Sequence, residues 1–286
     1  MRKRFENHIG VMQGRLLPKY QGRYQAHPLG YWQKEFPIAK LLGLDCIEFI
    51  LDYNDAENNP LLKIGGIDEI GKIVQETGIC VRTVCADYFM VAPLHSPREE
   101  VVLRSQKILH LLLNNARLLG VTDIVIPCVD QSSLKNKESQ GRFFRNVLPL
   151  IEYAEKLDIN LALETDLAPE PFAELLEQFD SRRVSVNYDI GNSAALGFNL
   201  IEELKCYGER ITDIHIKDRV LDGGSVKLGD GDADFDLFFS ALIQYYFCGP
   251  FIMQAYRDDE GVRLFKKQFE WITPKVSEFK REKLDW

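Results

Sequence analysis

The chain has 286 residues, 45% of them hydrophobic and 27% charged, which is enough apolar material for one large core and excludes a disordered protein. Its 35 Lys and Arg against 43 Asp and Glu give a net charge of −8, which repels nucleic acid unless a local basic patch overrides it. The basic run near the end, Lys280 to Lys283, is interrupted by Glu282 and makes no such patch.

In chain order, Met1-Arg-Lys-Arg resembles the start of a secretory leader, but Phe5-Glu6-Asn7-His8 stands where the apolar segment should follow, so a cytoplasmic protein is expected. Eight short β-rich runs then recur: 8–13, 46–51, 80–85, 123–129, 159–164, 184–189, 211–217 and 251–255. Amphipathic segments long enough for helices lie between most of them, such as 101–119, where Leu103, Ile108, Leu111, Leu112 and Leu119 fall at helical spacing. Strand then helix, eight times over, is the order of a single (β/α)₈ barrel, expected here over residues 1–273. Gly43, Gly78 and Gly120 each precede a strand, where glycine supplies the left-handed cap that ends a helix. The long irregular pieces, 15–33, 52–66, 88–97 and 220–235, each follow the carboxyl end of a strand, where barrel active sites are built. Pro274 is expected to close the last barrel helix, leaving 274–286 as an exposed, charged tail. The six cysteines have neither CxxC spacing nor disulfide density and read as reduced, mostly buried thiols.

Alternation along the later strands separates two chemistries. In 211–217, Asp213, His215 and Lys217 share one face and Thr212, Ile214 and Ile216 the other. In 159–164 the split is Asn160, Ala162 and Glu164 against Ile159, Leu161 and Leu163; in 184–189 it is Ser185, Asn187 and Asp189 against Val184, Val186 and Tyr188. A barrel strand roofed by helices keeps its apolar face outward, so the polar face points inward and ends in a ligand-type side chain: Glu164, Asp189, His215. The second strand adds Glu48 on the face of Cys46, and the eighth places Gln254 at the corresponding depth. Three oxygen donors and one nitrogen converging at one mouth suit a single divalent ion, Mn²⁺, Mg²⁺, Co²⁺ or Zn²⁺. Such an ion holds two adjacent sugar oxygens and stabilises the charge of an enediolate formed when a C–H proton is removed.

With the eight-strand order, these residues resemble the xylose-isomerase-like barrel superfamily of sugar and sugar-phosphate isomerases and epimerases, over nearly the whole chain. Met12-Gln-Gly-Arg-Leu16, Trp32 to Phe36, Ile47-Glu48-Phe49 and Asn59-Pro60-Leu61 look like one bacterial branch of it, as do His215 to Arg219, Leu228 to Gly231 and Gly249 to Gln254. The resemblance implies one metal held by Glu164, Asp189, His215 and, where the family has a glutamate, Gln254. The family's epimerases set carboxylates on strands five and eight on opposite sides of the substrate carbon. Gln254 ligates or hydrogen-bonds but cannot act as a base. That departure favours one-base isomerisation by Glu164, or a substitute base such as Glu48.

Each assignment has a plainer rival. His215 reads as a ligand rather than a buried strand histidine because its strand neighbours repeat the pattern. Glu164 and Asp189 could instead cap helices, and Glu48 reads equally as a site residue or a structural ion pair. Arg15, Lys217, Arg219 and Arg257 all follow strands and could meet a substrate phosphate, although each taken alone more often pairs with a rim carboxylate. Gly229-Asp230-Gly231 is too short for a phosphate loop and reads as a tight turn beside the site. His8 and His95 read as hydrogen-bonding side chains, and Trp32 and Phe36 either cover a sugar face or pack the core. The expected function is therefore a metal-dependent isomerase or epimerase of a small sugar or sugar phosphate. Its rivals are a sugar dehydratase on the same metal site and a non-catalytic sugar-binding protein. A three-zinc DNA-repair nuclease on this barrel is disfavoured by only five histidines and the acidic charge. Neither nucleic acid nor membrane is an expected partner, whereas pairing of barrels through their rims is one expectation.

Overall fold

The computed structural model describes residues 7–285; the Met1 to Glu6 start and Trp286 lie outside the described residues. Eight strands form the wall: β1 Ile9–Met12, β2 Cys46–Ile50, β3 Cys80–Cys85, β4 Asp123–Cys128, β5 Asn160–Thr165, β6 Val184–Asp189, β7 Ile211–Ile216 and β8 Phe251–Met253. They close as a barrel in the order β1-β8-β7-β6-β5-β4-β3-β2, every neighbouring pair parallel, with helices between consecutive strands. This is a single (β/α)₈ barrel, and each expected strand is present within one or two residues.

Strand alternation sorts the side chains as expected. Ile47, Phe49, Leu161, Leu163, Val184, Val186, Ile214 and Ile216 join the apolar layer beneath the helices. A separate cluster, Met12, Cys46, Ile50, Cys85, Val125, Ala162 and Ile252, fills the barrel interior. The two clusters are the two faces of one sheet, and burial of both is what a parallel barrel requires. The interior leaves no room at Gly10, where a Cβ would stand 2.6 Å from Cys46 Sγ and 2.7 Å from Ile252 Cδ1. Gly43, Gly78 and Gly120 end their helices in the left-handed conformation, as the punctuation predicts.

Two features differ from the sequence reading. The final helix, Val262–Asp285, runs straight through Pro274. In place of an exposed tail, Val276 and Phe279 are buried, with the Phe279 ring 5.5 Å from Phe251 and 5.9 Å from Phe239. Burial of an aromatic side chain, about 1.5–3 kcal/mol, offsets the hydrogen bond a mid-helix proline removes. The loop after β7 also contains a small antiparallel pair, Asp218–Arg219 with Ser225–Val226. Among the described residues, no helix is long and apolar enough to cross a membrane.

Candidate active site

The carboxyl ends of β5, β6 and β7 bring Glu164, Asp189 and His215 together, with one donor atom from each lying within 4.8 Å of the others. Asp189 pairs in register with His215 across β6 and β7 and serves two purposes. Its Oδ1 accepts the amide of Asn192 at 2.8 Å, capping the helix Ile190–Leu196, so at Asp189 the rival capping role and the place on the site coexist. Its Oδ2 remains on the site, 3.2 Å from Lys217 Nζ and 3.9 Å from His215 Nδ1. On the other side of the imidazole, His215 Nε2 lies 2.9 Å from Glu48 Oε1, and Glu48 Oε2 accepts from Thr83 Oγ1 at 2.7 Å. A carboxylate only accepts, so Nε2 carries the proton and Nδ1, which has no hydrogen-bond partner, faces the cluster. Gln254 Nε2 donates to Gln25 Oε1 at 3.0 Å, leaving its own buried Oε1 without a partner.

These unpartnered atoms test the site for a metal. His215 Nδ1, buried and without a donor, stands with Glu164 and Asp189 in a group that a divalent ion would satisfy, and Gln254, whose buried Oε1 also lacks a donor, shares the cavity wall with Glu164. Glu48 behind His215 is placed as a second carboxylate that would fix the imidazole if it ligated an ion. Electrostatics agree with it. Burial, reinforced by Asp189, pushes the Glu164 carboxyl up to about 7. Burial works against the Asp189 anion too, but Lys217, His215 and the Asn192 amide outweigh it and hold that carboxyl down at about 2. Burial opposes charge on His215, yet Glu48, Asp189 and Glu164 together push its pKa well up. With Asp213 Oδ2 also 3.9 Å from His215 Nε2, four carboxyl groups surround one imidazole and form a site built for positive charge.

The cluster opens into a cavity of about 390 Å³ whose wall includes Glu164, Asn192, Lys217, Arg219, Gln254 and Asp87. Asn192, not singled out in the sequence, is a hub: its Nδ2 donates to Glu164 at 2.6 Å and its Oδ1 accepts from Lys217 at 3.1 Å and Arg219 at 2.8 Å. Its position three residues past Asp189, on the first turn of the following helix, is the signal that could have found it. Gln25 and Asp87 were also missed. Asp87 continues the alternation Thr83, Cys85 beyond the end of β3, the same rule that finds Glu164.

Of the four cations expected at a substrate anion, Lys217 and Arg219 line the cavity and Arg15 and Arg257 do not. Arg257 is a structural clamp: Nη1 donates to the Gly14 carbonyl and Nη2 to that of Leu17, each at 2.7 Å. Arg15 is buried, stacked 5.0 Å over Tyr24, and donates to the Tyr24 carbonyl and to Gln25 Oε1, each at 3.0 Å. An arginine after a strand reads alike whether its fork meets a ligand or backbone carbonyls, so spacing could not separate the pairs. Of the two readings given for Glu48, a site residue or a structural ion pair, the geometry favours the second: it stands behind His215, fully buried and outside the cavity wall. Trp32 and Phe36 pack the core around Phe49. His8 lies beside Cys80 at the amino end of β1, and His95 packs against Phe143. The Gly229 to Gly231 turn is wound around Asp218, which accepts the amides of Gly229, Gly231 and Ala233 at 2.8–3.2 Å.

The loop after β1 hangs on Glu35, whose buried carboxyl accepts the amides of Gly14 at 2.7 Å and Leu16 at 3.0 Å. Gly14 itself has φ +84°, a conformation that suits glycine. Burial pushes the Glu35 carboxyl up to about 7, against the pull of those amides and of Arg257 and Arg15. Between its ordinary pKa near 4.5 and about 7 the folded state holds a proton the unfolded chain has released. The stabilisation is therefore complete below about 4.5 and lost as pH rises through 7, a change on the order of 3 kcal/mol. Denaturant melts of wild type and Glu35→Gln across that window should show a steeper loss of stability in the wild type, since Glu164, raised over the same range, contributes to both; equal slopes would refute the assignment.

A family model for the xylose isomerase-like TIM barrel matches residues 36–275. An L-ribulose-5-phosphate 3-epimerase, UlaE, from Escherichia coli O1:K1 / APEC is 24% identical over 273 residues, covering 87% of this chain and 95% of the relative. The crystal structure of IOLI protein with a bound zinc atom superposes with TM-score 0.75 at 19% identity, over 95% of this chain and 99% of that one. The D-allulose 3-epimerase from Methylomonas sp. in complex with D-allulose gives 0.71 at 17% identity, over 94% and 97% of the two chains.

Proposed function

Since the chain belongs to the xylose isomerase-like TIM barrel family, we propose that it is a divalent-metal-dependent epimerase of a small ketose or ketose phosphate, with Glu164 as the base. The observation that carries the reading is the set Glu164, Asp189, His215 and Gln254 at one barrel mouth, two of whose buried ligand atoms lack any partner. The curated relatives are sugar epimerases, which moves the reading toward epimerisation from the isomerisation that Gln254 by itself favours. A bound divalent ion supplies electrophilic stabilisation of negative charge on two neighbouring sugar oxygens.

The protein's own groups do the rest. Glu164, held by Asn192 Nδ2 at 2.6 Å on the cavity wall, takes the proton from the carbon beside the carbonyl. A carboxyl pushed up to about 7 by burial is matched to that task, since it both takes and returns a proton near neutral pH. Asn192 holds Lys217 and Arg219 on the same wall, where they orient hydroxyl or phosphate oxygens.

The test is turnover of L-ribulose 5-phosphate, L-ribulose and D-allulose with Mn²⁺, monitored by NMR and mass spectrometry. An epimer of unchanged mass, lost on chelation and restored by Mn²⁺, is the expected result. A product lighter by water would make the enzyme a dehydratase instead. Raised melting temperature without turnover would leave a sugar-binding protein.

A further inference from the structure

Gln254 stands where the family's second proton-handling carboxylate belongs, and an amide carries no transferable proton at neutral pH. Another carboxylate lies on the hydrogen-bonded line that begins at Gln254. Gln254 Nε2 and Arg15 Nη2 both donate to Gln25 Oε1, each at 3.0 Å, which locks that amide with its Nε2 donating to Asp87 Oδ2 at 2.8 Å. Asp87 follows β3, is half-buried, and shares the cavity wall with Glu164. Its remaining contact is Cys85 Sγ, 3.3 Å from Oδ1, and among the described residues no lysine or arginine forms an ion pair with it. The other carboxylates of the wall are differently engaged: Asp166 is ion-paired with Lys135 at 3.4 Å, and Asp130 and Asp222 are exposed. Asp87 and Glu164 stand at the ends of strands separated by one strand, about a quarter turn around the mouth, so they approach a sugar lying across it from different directions.

Resting on the epimerase reading, we propose that Asp87 is the second proton-transfer residue, delivering a proton to the face of the substrate carbon opposite Glu164. The C–H bond breaks toward Glu164, which takes the proton while the electron pair enters the enediolate. The Asp87 O–H bond then breaks and its proton forms the new C–H bond on the other face. Glu164 ends protonated and Asp87 ionised; exchange with water after product release resets both, and the reverse reaction exchanges their roles. The pair thus needs one proton between them, and burial, which disfavours the Asp87 anion, is in keeping with Asp87 carrying it at the start.

The test uses Mn²⁺-loaded enzyme and L-ribulose 5-phosphate in D₂O. Asp87→Asn keeps an oxygen for Gln25, so the cavity is preserved. It should lower epimer formation about 100-fold or more while solvent deuterium enters recovered substrate, because an enediolate that receives no proton on the other face persists long enough for the Glu164 carboxyl to exchange with D₂O before returning a proton on its own face. Epimerisation near the wild-type rate, or parallel loss of epimerisation and exchange, overturns the proposal and leaves the function standing. Should the variant fail to fold, the wild type decides. Product bearing solvent deuterium from the first turnover, beside unlabelled substrate, supports two residues. Product retaining the substrate's own hydrogen requires one base and rejects Asp87. Wild-type enzyme that neither exchanges nor epimerises this sugar overturns the epimerase reading and the role of Asp87 with it.

Discussion

Glu164→Gln is expected to lower turnover by about 10³-fold at saturating Mn²⁺ while the folded protein and much of its metal affinity survive. The substitution keeps an oxygen where Asn192 Nδ2 donates at 2.6 Å, so the hub that also holds Lys217 and Arg219 stays assembled. What it removes is the lone pair that takes a proton, together with one negative charge among the candidate ligands. Metal affinity should consequently drop by about tenfold, far less than turnover, since Asp189, His215 and Gln254 retain their donors. Steady-state kinetics beside calorimetric Mn²⁺ titration separates the two effects. Turnover within tenfold of wild type would remove Glu164 from the role of base; loss of turnover in strict proportion to metal occupancy would reduce it to a ligand.

The second large effect belongs to Glu48, away from the cavity. Glu48→Ala strands two buried donors at once, His215 Nε2–H at 2.9 Å and Thr83 Oγ1 at 2.7 Å. Breaking a buried hydrogen-bonded charge pair costs about 3–5 kcal/mol, and the imidazole loses the contact that fixes which nitrogen faces the metal. Mn²⁺ affinity should fall by about 10–100-fold. Glu48→Gln retains an acceptor oxygen and should recover a large part of both losses. Denaturant melts of the chelated protein, with Mn²⁺ titrations of each variant, check this. Wild-type metal affinity in Glu48→Ala would show that His215 needs no partner behind it.

How far the molecule can be read from its chain depends on the range of the interaction that decides each part. Glu164, Asp189 and His215 were legible because strand alternation is local: backbone geometry sends every second side chain inward, and the apolar partners Leu163, Tyr188 and Ile214 declare which face that is. Gln25 joins Arg15, Asp87 and Gln254, one of them 229 residues away, so no period in the sequence announces it. Pro274 misled for a related reason. Proline's local preference ends helices, yet Phe279 packing on Phe239 and Phe251 kept the helix intact.

By itself, then, the sequence determined the barrel, its period and the inward carboxylate and imidazole ends of β5, β6 and β7, since these follow from residue type and a two-residue repeat. The tertiary structure decided which arginines meet the cavity, that Glu48 supports His215 from behind, that Asn192 gathers the cations, and that Asp87 stands on the line from Gln254. Those outcomes rest on hydrogen bonds between loops from different strands, where a side chain's role is set by which partner the closed barrel brings within about 3 Å.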